Sequence, residues 1–166
     1  MIQPSSAGVK QDYDKYVSRA TILIHSPQTT GAIQNLLAGP DPVQQVANAT
    51  VMVMQRIDSA ARDAGVEVQD AVKIFGANAI VRLIIELGEA AHKFKIKFDE
   101  PLTELALSVA VQDYVKGEIT AHRIDPQRLN VALQADMRTM PPKMRKEMQQ
   151  TQLRIQQTAR KYNGGA

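Results

Sequence analysis

The sequence predicts an all-α fold, a helical bundle of about six helices with an extended basic C-terminal helix. Three observations lead there. Strand-like alternation of apolar and polar residues is nearly absent, and apolar positions recur with a period close to that of a helix. Capping residues also stand directly before proline at Ser26-Pro27, Asp41-Pro42 and Asp125-Pro126. There a Ser or Asp oxygen accepts from the exposed amides of a first turn, and proline costs nothing where its missing N–H would be unpaired.

A first helix places Tyr13, Tyr16, Val17, Ala20, Leu23 and Ile24 on one face, with Lys10, Asp14, Ser18 and Arg19 on the other. A short second helix after Ser26 carries Ile33, Leu36 and Leu37, and Gly39-Pro40 is expected to close it. The third runs from Pro42 to about Ala64 and buries Val43, Val46, Ala47, Thr50, Val53, Met54, Ile57 and Ala61. Gly65-Val66 ends it as a glycine terminus with an apolar residue folded back.

The fourth, from about Gln69 to Lys95, directs Val72, Phe75, Ala79, Ile80, Leu83, Leu87, Ala91 and Phe94 inward. Gly76 and Gly88 lie within it at a cost of about 1 kcal/mol each relative to alanine, which points to close helix crossings. A fifth helix follows Asp99, and its stretch from Leu105 through Val109 to Val111 is apolar nearly all round. Such a helix is either central to a bundle or shared with a neighbouring subunit. A sixth starts at Pro126 with Leu129, Ala132, Leu133 and Met137. A last helical segment follows Pro141-Pro142. The expected organisation is an N-terminal arm over 1–9, a helical bundle over 10–140 and a basic C-terminal arm over 141–166.

A chain of 166 residues suits one domain, and 44% hydrophobic against 22% charged residues supplies a core and argues against disorder over most of it. The lack of Cys removes disulfides, thiolate metal sites and a thiol nucleophile. The start has no basic cluster leading into an apolar run, so no secretory signal is expected. The most apolar stretch, Ala71 to Phe94, is interrupted by Lys73, Arg82, Glu86 and Glu89, so no membrane span is expected.

Charge is distributed unevenly. From Arg138 onward stand Arg138, Lys143, Arg145, Lys146, Arg154, Arg160 and Lys161 against the single acid Glu147, a net +6. The whole chain carries +3, which leaves −3 for the preceding part. Met144, Met148, Ile155, Ala159 and Tyr162 fall near one narrow stripe of this segment. Three readings stay open: a terminal helix docked on its own domain, an adaptable Met-rich contact to a partner or second copy, or contact with duplex DNA phosphates. Tyr162 alone offers little for base stacking.

Chemistry is sparse. Glu89-Ala-Ala-His92 has the spacing of one carboxylate–histidine pair of a di-iron bundle, but Glu118 to His122 does not repeat it. Arg82 with Glu86 and Glu89 with Lys93 read as exposed ion pairs of one face. His25 reads as a last-turn residue beside the Ser26 cap. No phosphate-cradling glycine loop and no nucleophile elbow occur in the sequence. Neither a metal, a cofactor, a small-molecule substrate nor an enzymatic activity is expected.

The stretch His25-Ser-Pro-Gln-Thr through Leu36-Leu37-Ala-Gly-Pro-Asp-Pro42, with Val46-Ala47 and Met52-Val53-Met54-Gln55-Arg56-Ile57-Asp58, resembles small helical virion structural proteins of tailed bacteriophages. The resemblance covers about a third of the chain and carries over no functional residues. It implies a virion component made in the bacterial host cytoplasm, homo-oligomeric and in contact with other virion proteins, at the portal, tail or internal DNA-ejection apparatus. The alternative is a basic helical DNA-binding regulator or packaging factor. Partner contact is expected at Val109, Met144, Met148, Ile155 and Tyr162.

Overall fold

Aspartates open three of the helices by accepting a first-turn amide. Asp41 accepts from the Gln44 N–H at 3.1 Å, Asp99 from Leu102 at 3.0 Å and Asp125 from Gln127 at 2.9 Å. The computed structural model describes residues 6–138, together with Pro142, Arg145, Lys146, Gln149, Gln150, Leu153 and Gln157, which are helical and exposed. Among the described residues the fold is all-α. Its helices are α1 (Ser6–Ile24), α2 (Pro27–Leu36), α3 (Pro42–Asp63), α4 (Asp70–Ala90), α5 (Glu100–Thr120) and α6 (Pro126–Met137). Helix α1 thus starts inside the segment read from sequence as an N-terminal arm.

Ser26 departs from its expected role. It occupies the N-cap position of α2 without a side-chain cap bond, and its hydroxyl donates instead to the Leu23 carbonyl at 2.7 Å. The serine therefore closes α1, together with His25, whose Nδ1–H reaches the Thr21 carbonyl at 2.9 Å. Helix α2 ends at Leu36 with Leu37 as its C-cap, ahead of Gly39, so glycine does not terminate it.

Helices α3, α4 and α5 end alike. The residue after the cap takes a left-handed conformation, at Gly65 (φ +69°), His92 (φ +52°) and His122 (φ +54°). The next amide then reaches back to a carbonyl one turn earlier: Val66 to Ala61, Lys93 to Gly88 and Arg123 to Glu118, at 2.8 to 2.9 Å. This double-bonded terminus normally selects glycine. Two histidines fill it here, and α4 stops at Ala90 instead of continuing to Lys95.

Helix α4 occupies the centre, touching α1, α2, α3, α5 and α6. Its buried residues, among them Val72, Ile74, Phe75, Ile80, Val81, Ile84 and Ile85, surround the axis and exceed the single inward face expected. Of the two alternatives open for α5, a central place in the bundle does not hold, because α4 takes it. Ala106, Ala110 and Val111 are buried, but Leu105 is 50% exposed and Val109 is half-buried. Close crossing at the glycines is present. A side chain on Gly76 would enter the Tyr16 ring of α1, and one on Gly88 would meet Phe94 and Leu37. Phe94 in turn packs on Phe98 with ring centroids 4.8 Å apart.

No described helix is long and apolar enough to cross a membrane. Arg82 pairs across to Glu100 of α5, with its Nη2 2.5 Å from Oε1. Hydrogen bonding to that guanidinium lowers the Glu100 pKa. Both side chains remain solvated, so the pair contributes at most about 1 kcal/mol. Lys93 lies beyond the helix end, and it forms no ion pair with Glu89.

Candidate functional site

Polar groups collect where α1, α3, α4 and α5 converge. Helix α3 brings Asp58 to its inner face because Met54, Ile57, Asp58 and Ala61 share one helical stripe, and the carboxylate sinks with its apolar neighbours to 3% exposure. Helix α5 does the same with Tyr114 and Glu118, which follow Ala110 at successive steps of four. The Tyr114 hydroxyl donates to Asp58 Oδ2 at 2.5 Å. Lys73 of α4 stands 3.9 Å from the same oxygen and 3.1 Å from Asp70.

Glu118 is held from outside the helix. Arg123, just past the α5 terminus, places Nε 2.9 Å from Oε2 and Nη2 3.0 Å from Oε1, a two-pronged pairing with a buried carboxylate. That bond raises the Arg123 pKa. The terminus geometry makes the pairing possible, since left-handed His122 turns the chain back so that Arg123 overlies Glu118.

Burial dominates the titration of this cluster. It pushes the Asp58 carboxyl above its ordinary range against the opposing influence of the Tyr114 hydrogen bond and the Lys73 charge. Tyr114 and Tyr16 are driven upward by burial and then by the Asp58 charge, so both phenols stay protonated. Two buried atoms of the cluster have no hydrogen-bond partner: Asp58 Oδ1 and the Tyr16 hydroxyl.

Beside the cluster opens a cavity of about 190 Å³, lined by Asp58, Lys73, Glu118 and Arg123 and rimmed by residues of the α3–α4 connection. Ionisable side chains meet unfilled space there. The cavity can bind a polar group.

The residues singled out from sequence fall elsewhere. Val109 lies half-buried on α5 away from this cavity lining, and Arg138, Arg145 and Lys146 are exposed. Met144, Met148, Ile155, Tyr162, Lys143, Arg154, Arg160 and Lys161 lie outside the described residues. Glu118 and His122, weighed as a ligand pair, separate into an arginine-paired carboxylate and an exposed helix terminus. Among the described residues no group of three or more His, Cys, Asp or Glu side chains is gathered to hold a metal.

Sequence reasoning missed Asp58 and Tyr114. The signal was present, as Asp58 and Glu118 sit in register with the apolar stripes of their helices. Comparison with protein-family models, with curated proteins and with solved structures finds no match to this chain, so the functional reading rests on its residues and their geometry.

Proposed function

We propose that this is a non-enzymatic assembly protein that associates with copies of itself and with other proteins of a particle. The observation that carries the reading is the outward face of α5. Leu102, Leu105 and Val109 follow at helical spacing; Leu105 is half exposed and the other two are only partly covered. A surface leucine alone means little, but an apolar stripe on a helix that is not central is the kind of surface a neighbouring copy covers. The resemblance of 25–58 to bacteriophage virion proteins supports a place in a virion, at the portal, tail or ejection apparatus.

The basic segment from Arg138 supports the same reading through charge, because its +6 opposes the −3 of the preceding part. Opposite charge steers encounter, and desolvated apolar contacts then set the lifetime of a complex. Mass photometry of the purified full chain tests this directly. A discrete multimer is expected, and a strictly monomeric protein at micromolar concentration rejects the reading.

A second reading has its own observation. Arg138, Arg145 and Lys146 are all exposed, as contact with duplex DNA phosphates requires. Affinity for duplex DNA should then fall with salt, with a log-log slope of about −0.9 per neutralised phosphate. Absence of binding at low salt discards it.

A further inference from the structure

We propose that the connection between α4 and α5, from His92 to Phe98, is a contact site for an anionic phospholipid surface, with Ile96 entering the lipid interface between Lys95 and Lys97. The sequence there alternates strictly: Lys93-Phe94-Lys95-Ile96-Lys97-Phe98. In an extended chain such alternation places the three apolar side chains on one side, where the core would cover them all. Two of them comply. Phe94 packs over Gly88, Phe98 is buried, and their rings meet with centroids 4.8 Å apart. Ile96 does not, because the chain bends at Lys95 and Ile96 and leaves the isoleucine 43% exposed. The aromatic pair thus closes the base of a loop whose tip, Lys95-Ile96-Lys97, is exposed throughout.

The charge of this tip is not neutralised from within the fold. Among the described residues Lys93, Lys95 and Lys97 form no ion pair, with Glu89 or any other acid. The carboxylates that follow are engaged elsewhere, Asp99 with the Leu102 amide and Glu100 with Arg82. Before Arg138 the chain sums to −3, so without these three lysines it would carry −6. The loop is a local reversal of sign, and it favours an anionic partner.

The isoleucine decides which anionic partner. Duplex phosphates would accept the lysines but leave Ile96 in water, and the loop offers neither arginine nor an exposed aromatic side chain to a base. A lipid surface accommodates both. The ammonium groups stay among the headgroups while the lysine stems and Ile96 reach the acyl boundary. Each lysine near such a surface is worth about fivefold in affinity, so the contact is reversible and is not an anchor.

The chain contains no Trp, so Ile96→Trp gives the full-length protein a single emitter at the tip of the loop. Its emission should shift to the blue on vesicles of equimolar phosphatidylserine and phosphatidylcholine, and should stay unchanged on phosphatidylcholine alone. This readout separates the loop from the basic C-terminal segment, which can bind the same vesicles without moving residue 96 into lipid. Lys95→Gln with Lys97→Gln in that background should abolish the shift. In the protein that retains Ile96, the same pair of substitutions should weaken vesicle flotation about 25-fold, and Ile96→Ser should weaken it as well. Circular dichroism establishes that these variants are folded. No blue shift on the anionic vesicles, an equal shift on neutral ones, or a shift that survives loss of both lysines overturns the proposal. So does a change in emission on adding duplex DNA at the same salt, which would assign the loop to nucleic acid.

Discussion

Tyr114 and Asp58 form a buried hydrogen bond at 2.5 Å between α5 and α3, across a sequence separation of 56 residues. It is the polar counterpart of the extensive apolar contact between the same two helices. Removing the donor leaves a buried carboxylate oxygen without its partner. Tyr114→Phe should therefore cost about 1.5–3 kcal/mol, the range for a bond to a charged group, in urea denaturation with an unchanged m-value. Tyr16→Phe is the matched control, because its hydroxyl has no partner to lose; a cost as large as that of Tyr114→Phe would contradict this assignment.

The Asp58 carboxyl gives the cluster a pH signature. Its folded pKa lies above the ordinary value of 3.8, chiefly through burial. A raised folded pKa favours folding fully below the unfolded value, and that contribution is lost as pH rises through the folded one. Asp58→Asn does not titrate. The stability of the variant relative to the native sequence should therefore increase from acid toward neutral pH, as read from urea midpoints across that range. A flat difference would show that burial does not shift Asp58, and one that moves the other way would show that it is held low by Lys73 instead.

His92 and His122 occupy positions that favour glycine. A side chain in the left-handed region crowds the following carbonyl at a cost of about 1–2 kcal/mol, part of which glycine returns through its freer unfolded state. His92→Gly and His122→Gly should each stabilise the fold by about 0.5–1 kcal/mol, whereas Gly65→Ala should destabilise it by a similar amount. Thermal melts of the single variants check the three signs together. His122→Gly should be the smaller gain, since a looser terminus also relaxes the Arg123 grip on Glu118.

These histidines show where the sequence was readable and where it was not. Helix starts were legible because Asp41, Asp99 and Asp125 act locally, through amides two or three residues away. The end of α4 was hidden because His92 stands where glycine would have announced it. The interior of α4 was underestimated because a helix touched by five others loses the one-sided pattern that periodicity detects. The Asp58 cluster needs four helices to converge, and no spacing along the chain encodes that meeting. Only the placing of Asp58, Tyr114 and Glu118 on apolar stripes hinted at it.

Gly76 separates two opposed effects of similar kind and unequal size. Alanine is the better helix former by about 1 kcal/mol, so propensity alone favours Gly76→Ala. The added methyl would enter the Tyr16 ring, which is buried and cannot swing into solvent. Overpacking of a filled core costs about 1–3 kcal/mol, and the displaced ring would also press on the Asp58 cluster. Net destabilisation is expected by chemical denaturation; a stabilised variant would mean that α1 shifts freely on α4.

Leu105 separates folding from assembly. Its side chain is half exposed, so replacing it with a charge removes little buried area and should change stability by no more than about 0.5 kcal/mol. If the α5 face is an interface, the same charge must be desolvated against the partner without a counter-ion, which is far more costly. Leu105→Glu should therefore leave the melting temperature almost unchanged while dissociating the multimer in mass photometry. Charge reversal at Arg145 and Lys146 should act differently, weakening association mainly at low salt, where long-range attraction between the basic segment and the acidic remainder is least screened. A Leu105→Glu protein that assembles normally would remove the α5 face from the interface and leave the basic segment as the remaining candidate.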